Sequence, residues 1–193
     1  MTPQISDLFK YKDNKYNVVG INGKGLLLPL QVFDVSPTAF STACLRGYYI
    51  QYACNPQEEN LVLESLSLLG KSTKDKKIKG ISPVGDTDQF FDAASGRFFM
   101  YKYRDLEVPI SFSGGFLIAK DFVSEMGITE IPQSYETVFE LLFDNGKLKK
   151  VIDWSEMVAR QRADALAHKP DYFTVEFSLQ YDSLYYHHME QYA

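Results

Sequence analysis

Few side chains in this sequence could carry chemistry: His168, His187 and His188, Cys44 and Cys54, and scattered carboxylates. A zinc site or a nucleophile–base pair normally needs histidine or cysteine at defined spacing. His168 stands beside Lys169 and Pro170, where a helix would end and a cation would be favoured. His187 and His188 are adjacent, so on a strand they point to opposite faces. Glu190 lies near them, but no HExxH or spaced Cys/His set accompanies it. No metal and no cofactor is expected.

The other candidate groups have plain alternatives. Cys44 and Cys54 belong to no CxxC and read as reduced, buried thiols beside one strand pair. Ser113 in FSGGF is not in a G-x-S-x-G elbow. Gly20, Gly23 and Gly25 have the wrong order for a phosphate loop. Asp86, Asp88 and Asp92 fall between Gly85 and Gly96 in what reads as a solvated loop, although a cation or a glycosidase-like pair would also use such residues. Lys71 to Lys79 carries five lysines but no interleaved aromatic, so a base-stacking platform is missing.

Arg46 is the most informative single residue. It precedes Tyr48 at the start of the most aromatic strand, and its planar fork could order a carboxylate such as Glu136 or anchor a ligand. A second concentration of binding material lies at the C-terminus, where Tyr181, Tyr185 and Tyr186 stand among Asp182 and Glu190. Tyrosines anchor interfaces, and acids steer a basic partner towards them.

These groups need elements to position them. The 193 residues fit a domain of ordinary size, and the 13 Tyr and 14 Phe favour the half-buried surface of a sheet. Leu8 to Ile21 reads as a hairpin centred on Asp13-Asn14, and Gly47 to Cys54 as a strand. Residues 57–69 fit either a helix or a strand; the strand is preferred. Arg97–Tyr103 and Val108–Ile118 read as strands, with Gly114-Gly115 marking a bulge or a close backbone approach. Lys120 to Met126 suggests a short helix. Asp144-Asn145-Gly146 is the clearest hairpin turn, because Asn-Gly accepts positive φ. Asp153 and Glu156 resemble a capping box opening a helix over 155–168. Tyr172 to Tyr181 alternates as a strand would. The expectation is an α+β fold, predominantly antiparallel β, as an open sheet or partly closed barrel. A β-rich core spans 1–153, and a helix with a Tyr-rich acidic segment, 154–193, packs on the same domain.

Three stretches carry a resemblance: Ser41-Thr42-Ala43-Cys44-Leu45-Arg46-Gly47-Tyr48, Phe112-Ser113-Gly114-Gly115-Phe116, and Tyr135-Glu136 through Asn145-Gly146. Their order is similar to that in small bacterial β-rich proteins of unassigned function. The resemblance covers roughly 1–153, stops at the C-terminal helix, and brings no catalytic residue with it.

The net charge of −5 is uneven, because residues 151–193 hold seven acids against Arg160, Arg162 and Lys169. This argues against nucleic acid and anionic membrane surfaces as partners. The polar Met1 end lacks a signal-peptide core, and the longest apolar run is too short to span a bilayer. The sequence therefore reads as a cytoplasmic interaction protein rather than an enzyme, of the immunity or antitoxin kind, with a basic, toxin-like partner. The alternatives are a hydrolase built on Asp/Glu or Cys44, and a small-ligand binder with an aromatic pocket.

Overall fold

Strict alternation in Tyr48–Cys54 sends Tyr48, Ile50, Tyr52 and Cys54 to one face, and all four are buried in the main core. The same period-two pattern recurs along the chain and builds the sheet. A computed structural model describes residues 6–26, 33, 35, 44–54, 58–69, 76–90, 98–123 and 131–168. Among these, the strands are β1 (Leu8–Tyr11), β2 (Asn14–Lys24), β3 (Tyr48–Cys54), β4 (Leu61–Leu69), β5 (Val84–Phe90), β6 (Phe98–Tyr103), β7 (Val108–Pro109), β8 (Ser113–Phe122), β9 (Tyr135–Asp144) and β10 (Lys147–Asp153). A 3-10 turn covers Pro132–Ser134, and one α-helix, α1, covers Ser155–His168.

The strand order is β10-β9-β8-β2-β1-β3-β4-β6-β5, with β7 beside β4. The pairings are antiparallel except for β1 with β3, where Phe9 lies opposite Tyr52. The sheet is open but curls strongly. At one point its two limbs touch: Asn60 bridges Lys147, the Leu61 N–H donates to the Gly146 carbonyl at 2.7 Å, and the Leu148 N–H donates to that of Glu59 at 2.8 Å. Inside the curl, the rings of Phe9, Tyr52, Phe112 and Phe143 surround Phe116 at centroid distances of 5.0–6.0 Å. Edge-to-face pairs of this kind add specificity to the apolar burial that holds the core.

A bulge keeps β4 in phase. Gln51 pairs with Ser65 but Tyr52 with Leu63, so Glu64 is the extra residue and Leu61, Leu63, Leu66 and Leu68 all face inwards. Gly23 and Gly114 face each other across β2 and β8 with the Phe112 ring against them. This is the close approach foreseen for Gly114-Gly115, since a Cβ on Gly114 would stand 2.2 Å from the Asn22 carbonyl oxygen.

The other face of β8 and β9 is covered by α1. Val158 is buried against Leu117, Ala119, Tyr135 and Val138, with Trp154 and Met157 beside it. Arg162 holds the far end by donating to the Gln133 and Tyr135 carbonyls at 3.1 and 2.8 Å.

The structure confirms the mostly antiparallel sheet and the helix over 155–168, and it resolves 61–69 as strand. Several local expectations are corrected. Lys120 to Phe122 belongs to β8, where Lys120 pairs with Thr137 and Phe122 with Tyr135, so no helix starts at Lys120; 124–130 lie outside the described residues. The stretch expected as a loop after Gly85 contains β5, paired with β6. Val108–Ile118 is divided between β7 and β8. The first hairpin turns on Lys12-Asp13, one residue earlier than expected, because both adopt positive φ and Tyr11 pairs with Asn14. The capping box does not form. Asp153 Oδ1 accepts the Ser155 N–H at 2.9 Å, while Glu156 pairs with Arg160 one turn on.

Candidate functional site

Arg46 does bind a carboxylate, but it is Asp7 and not Glu136. Nη1 and Nη2 of Arg46 donate to Oδ2 and Oδ1 of Asp7 at 3.2 and 3.1 Å, and the Ile50 N–H donates to Oδ1 at 2.8 Å. Asp7 is fully buried, and its carbonyl accepts the Val18 N–H at 2.8 Å. Arg46 lies 5.3 Å from the Tyr48 ring centroid, as its place before the aromatic strand suggested. Burial pushes the Tyr48 hydroxyl up to about 12, although the nearby Arg46 charge acts the other way. This constellation ties the segment before β1 to β2 and β3. Its carboxylate is fully enclosed, Arg46 is mostly covered, and the pair holds the fold together.

Glu136 is exposed on β9, away from Arg46's partner. Tyr181, Tyr185 and Tyr186, with His187 and His188, lie outside the described residues, as does Asp92; Asp86 and Asp88 are on β5. Cys44 and Cys54 are buried free thiols. Burial raises both, Cys54 to about 11, and the Cys44 Sγ donates to the Tyr48 carbonyl at 3.5 Å. A thiol held protonated in apolar surroundings is a poor nucleophile. Among the described residues, no three or more His, Cys, Asp or Glu side chains are grouped so as to hold a metal ion.

An accessible polar site lies elsewhere among the described residues, on the outer face of the sheet where β1, β3 and β4 meet. A groove of about 380 Å³ is lined there by Lys10, Lys12, Asp13, Ala53, Cys54, Glu58, Asn60, Val62, Glu64, Glu107 and Pro109. Its floor follows from strand periodicity: Lys10, Ala53, Val62 and Glu64 are the outward residues beside inward Phe9, Tyr52, Leu61 and Leu63. Glu64 is the bulged residue of β4, and its carboxylate accepts Lys10 Nζ at 3.1 Å and also Gln51 Nε2. The hydrogen bond and charge of Glu64 hold the Lys10 ammonium above its ordinary value.

Three loops form the rim. Lys12-Asp13 is the β1–β2 turn, Glu58-Glu59-Asn60 leads into β4, and Asp105 to Glu107 leads into β7. Asn60 Nδ2 donates to Glu58 Oε2 at 2.8 Å, and the Leu106 N–H donates to the Glu64 carbonyl at 3.0 Å. Lys12, Asp13, Glu59, Asp105 and Glu107 all adopt positive φ, a conformation that costs a side-chain-bearing residue and that the surrounding contacts must enforce. Four carboxylates thus face two lysines in the groove, and Asp105 and Glu59 act on it from just outside.

Of the groove residues, the sequence singled out only Cys54, as a buried thiol, and Asp13, as part of a turn. The bulge at Glu64 sets its side chain on the outward face, and the parallel β1–β3 pairing brings it to Lys10. Comparison with family models, curated proteins and solved structures gives no match. Among the described residues, no helix is long and apolar enough to cross a membrane.

Proposed function

We propose that this protein is a binding protein without a reaction of its own, which receives a lysine or arginine side chain of a basic protein partner in the groove between β1, β3 and β4. One observation carries the reading. The groove sets Asp13, Glu58 and Glu107 around a space of about 380 Å³, above a Glu64 that Lys10 and Gln51 already engage. Three rim carboxylates converging on one groove attract a fork-shaped guanidinium more strongly than scattered surface acids do. The net charge of −5 adds long-range attraction for a basic partner. An immunity or antitoxin role fits this chemistry, because such a protein works by occupying its partner.

The test is a capture from native cells with the full chain, followed by association kinetics on the purified partner. A basic partner is expected, with an on-rate that falls as salt rises. The pair Glu58→Lys and Glu107→Lys should slow association roughly tenfold at low salt. Capture that is indifferent to both substitutions and to salt would overturn the proposal.

A further inference from the structure

The floor of the groove already holds a cation, and that cation belongs to the chain itself. Lys10 Nζ donates to Glu64 Oε1 at 3.1 Å, while Gln51 Nε2 donates to Oε2 of the same carboxylate. The two donors are held very differently. Gln51 is 8% exposed, and the backbone of Glu64 is fixed by its carbonyl, which accepts the Leu106 N–H at 3.0 Å. The Lys10 side chain is 42% exposed, on a flexible stem. Across the β1–β2 hairpin it stands opposite Lys15, and like charges facing each other across strands repel. Ion pairs this exposed are weak. Glu64 is thus a fixed acceptor with a loosely held occupant.

We infer that Lys10 makes the groove select arginine over lysine, by occupying Glu64 until a partner's guanidinium displaces it. This selectivity rests on the binding role proposed above and narrows its ligand to one side chain.

The exchange on Glu64 decides the preference. A partner lysine that displaced Lys10 would replace one ammonium on Oε1 by another of the same chemistry. Lys10 wins that competition because it is tethered beside its acceptor and gives up no translational freedom. A guanidinium brings more: a rigid fork of N–H donors, weaker hydration and paired bonds to carboxylates. Asp13, Glu58 and Glu107 line the same groove, so the fork can engage Glu64 and a rim acid together. The added bonds offset the loss of the Lys10 bond. Displaced Lys10 keeps the attraction of Asp13 and Asp105, which already act on its ammonium in the free protein.

Lys12 separates this exchange from simple charge. It lines the same groove and carries the same charge, but its ammonium lies over the Tyr11 ring at 5.2 Å. Removing it changes the field of the groove and leaves the Lys10–Glu64 bond in place.

Calorimetric titration of the full chain at low salt, with hexa-arginine and hexa-lysine peptides as probes, tests the inference. Wild type should bind the arginine peptide roughly tenfold more tightly than the lysine peptide. Lys10→Met and Lys10→Gln should both strengthen the lysine peptide more than the arginine peptide and cut the preference to about threefold or less. Lys12→Met should strengthen both peptides alike and keep the preference. Glu64→Gln should bring the arginine peptide down to the affinity of the lysine peptide. Equal affinity of wild type for the two peptides, or a preference unchanged in both Lys10 variants, would overturn the inference and leave the binding role standing. So would a loss of preference in Lys12→Met as large as in Lys10→Met, because charge alone would then explain it. Binding of neither peptide by wild type or by any variant would overturn both.

Discussion

Asp7 and Arg46, 39 positions apart, meet in a two-pronged ion pair whose carboxylate is wholly enclosed. The pair joins the start of the chain to the turn before β3, and Asp7 also orders Ile50 through its amide. Removing one partner of a buried pair leaves a charge without compensation, which costs about 3–5 kcal/mol.

Arg46→Ala should therefore destabilise the protein by about that amount in denaturant unfolding. In an Asp7→Asn background, where the Ile50 bond is retained without the negative charge, the same substitution should cost less than half as much. Equal costs in the two backgrounds would mean that the buried charge is not what Arg46 compensates.

The glycines at the β2–β8 contact should be far less replaceable than one in a turn. Gly114→Ala would put a Cβ 2.2 Å from the Asn22 carbonyl oxygen and 2.5 Å from the Gly23 Cα, so backbone must move. Gly80→Ala meets nothing within 4 Å and suffers only from its φ of +79°. Thermal melting should fall by several degrees more for Gly114→Ala than for Gly80→Ala, whose cost is about 1 kcal/mol. A smaller loss at Gly114 would contradict this packing.

Trp154 is the single tryptophan and reports on α1. Its Nε1 donates to Glu140 Oε2 at 2.8 Å, and the neighbouring Val158 is 2% exposed. Val158→Asp should lift the helix from β8 and β9 and shift Trp154 emission to the red, while leaving the β-sheet signal of circular dichroism in place. Unchanged emission would show that the helix is held elsewhere.

Stability should decline in alkali through Cys54. Its folded value of about 11 lies above the ordinary thiol value near 9, so the folded state holds the proton more tightly. The resulting stabilisation is complete below pH 9 and is lost as pH rises to 11, with an upper limit of about 3 kcal/mol. Cys54→Ala should flatten that part of the stability profile. An identical alkaline decline in wild type and variant would assign it to other groups.

The sequence by itself determined the local structure wherever period and turn chemistry agreed. Tyr48 to Cys54 alternates cleanly, Asn145-Gly146 takes the positive φ of a tight hairpin, and Ser155–His168 is bounded by Asp153 and Pro170. These signals act over a few residues, so a chain read in order displays them. The first hairpin slipped by one residue because Lys12 carries no turn signal of its own. Lys120 to Phe122 became strand because pairing with Thr137 and Tyr135 outweighs a weak helical preference.

Only the tertiary structure decided which distant residues meet. Arg46 was legible as a carboxylate ligand, yet its choice of Asp7 over Glu136 depends on the parallel contact of β1 with β3. The same contact places Lys10 on Glu64, and the bulge at Glu64 sets which side of β4 faces the groove. Strand order and register are properties of closure between distant segments. They follow from packing all the apolar faces at once, and no single stretch of sequence encodes them.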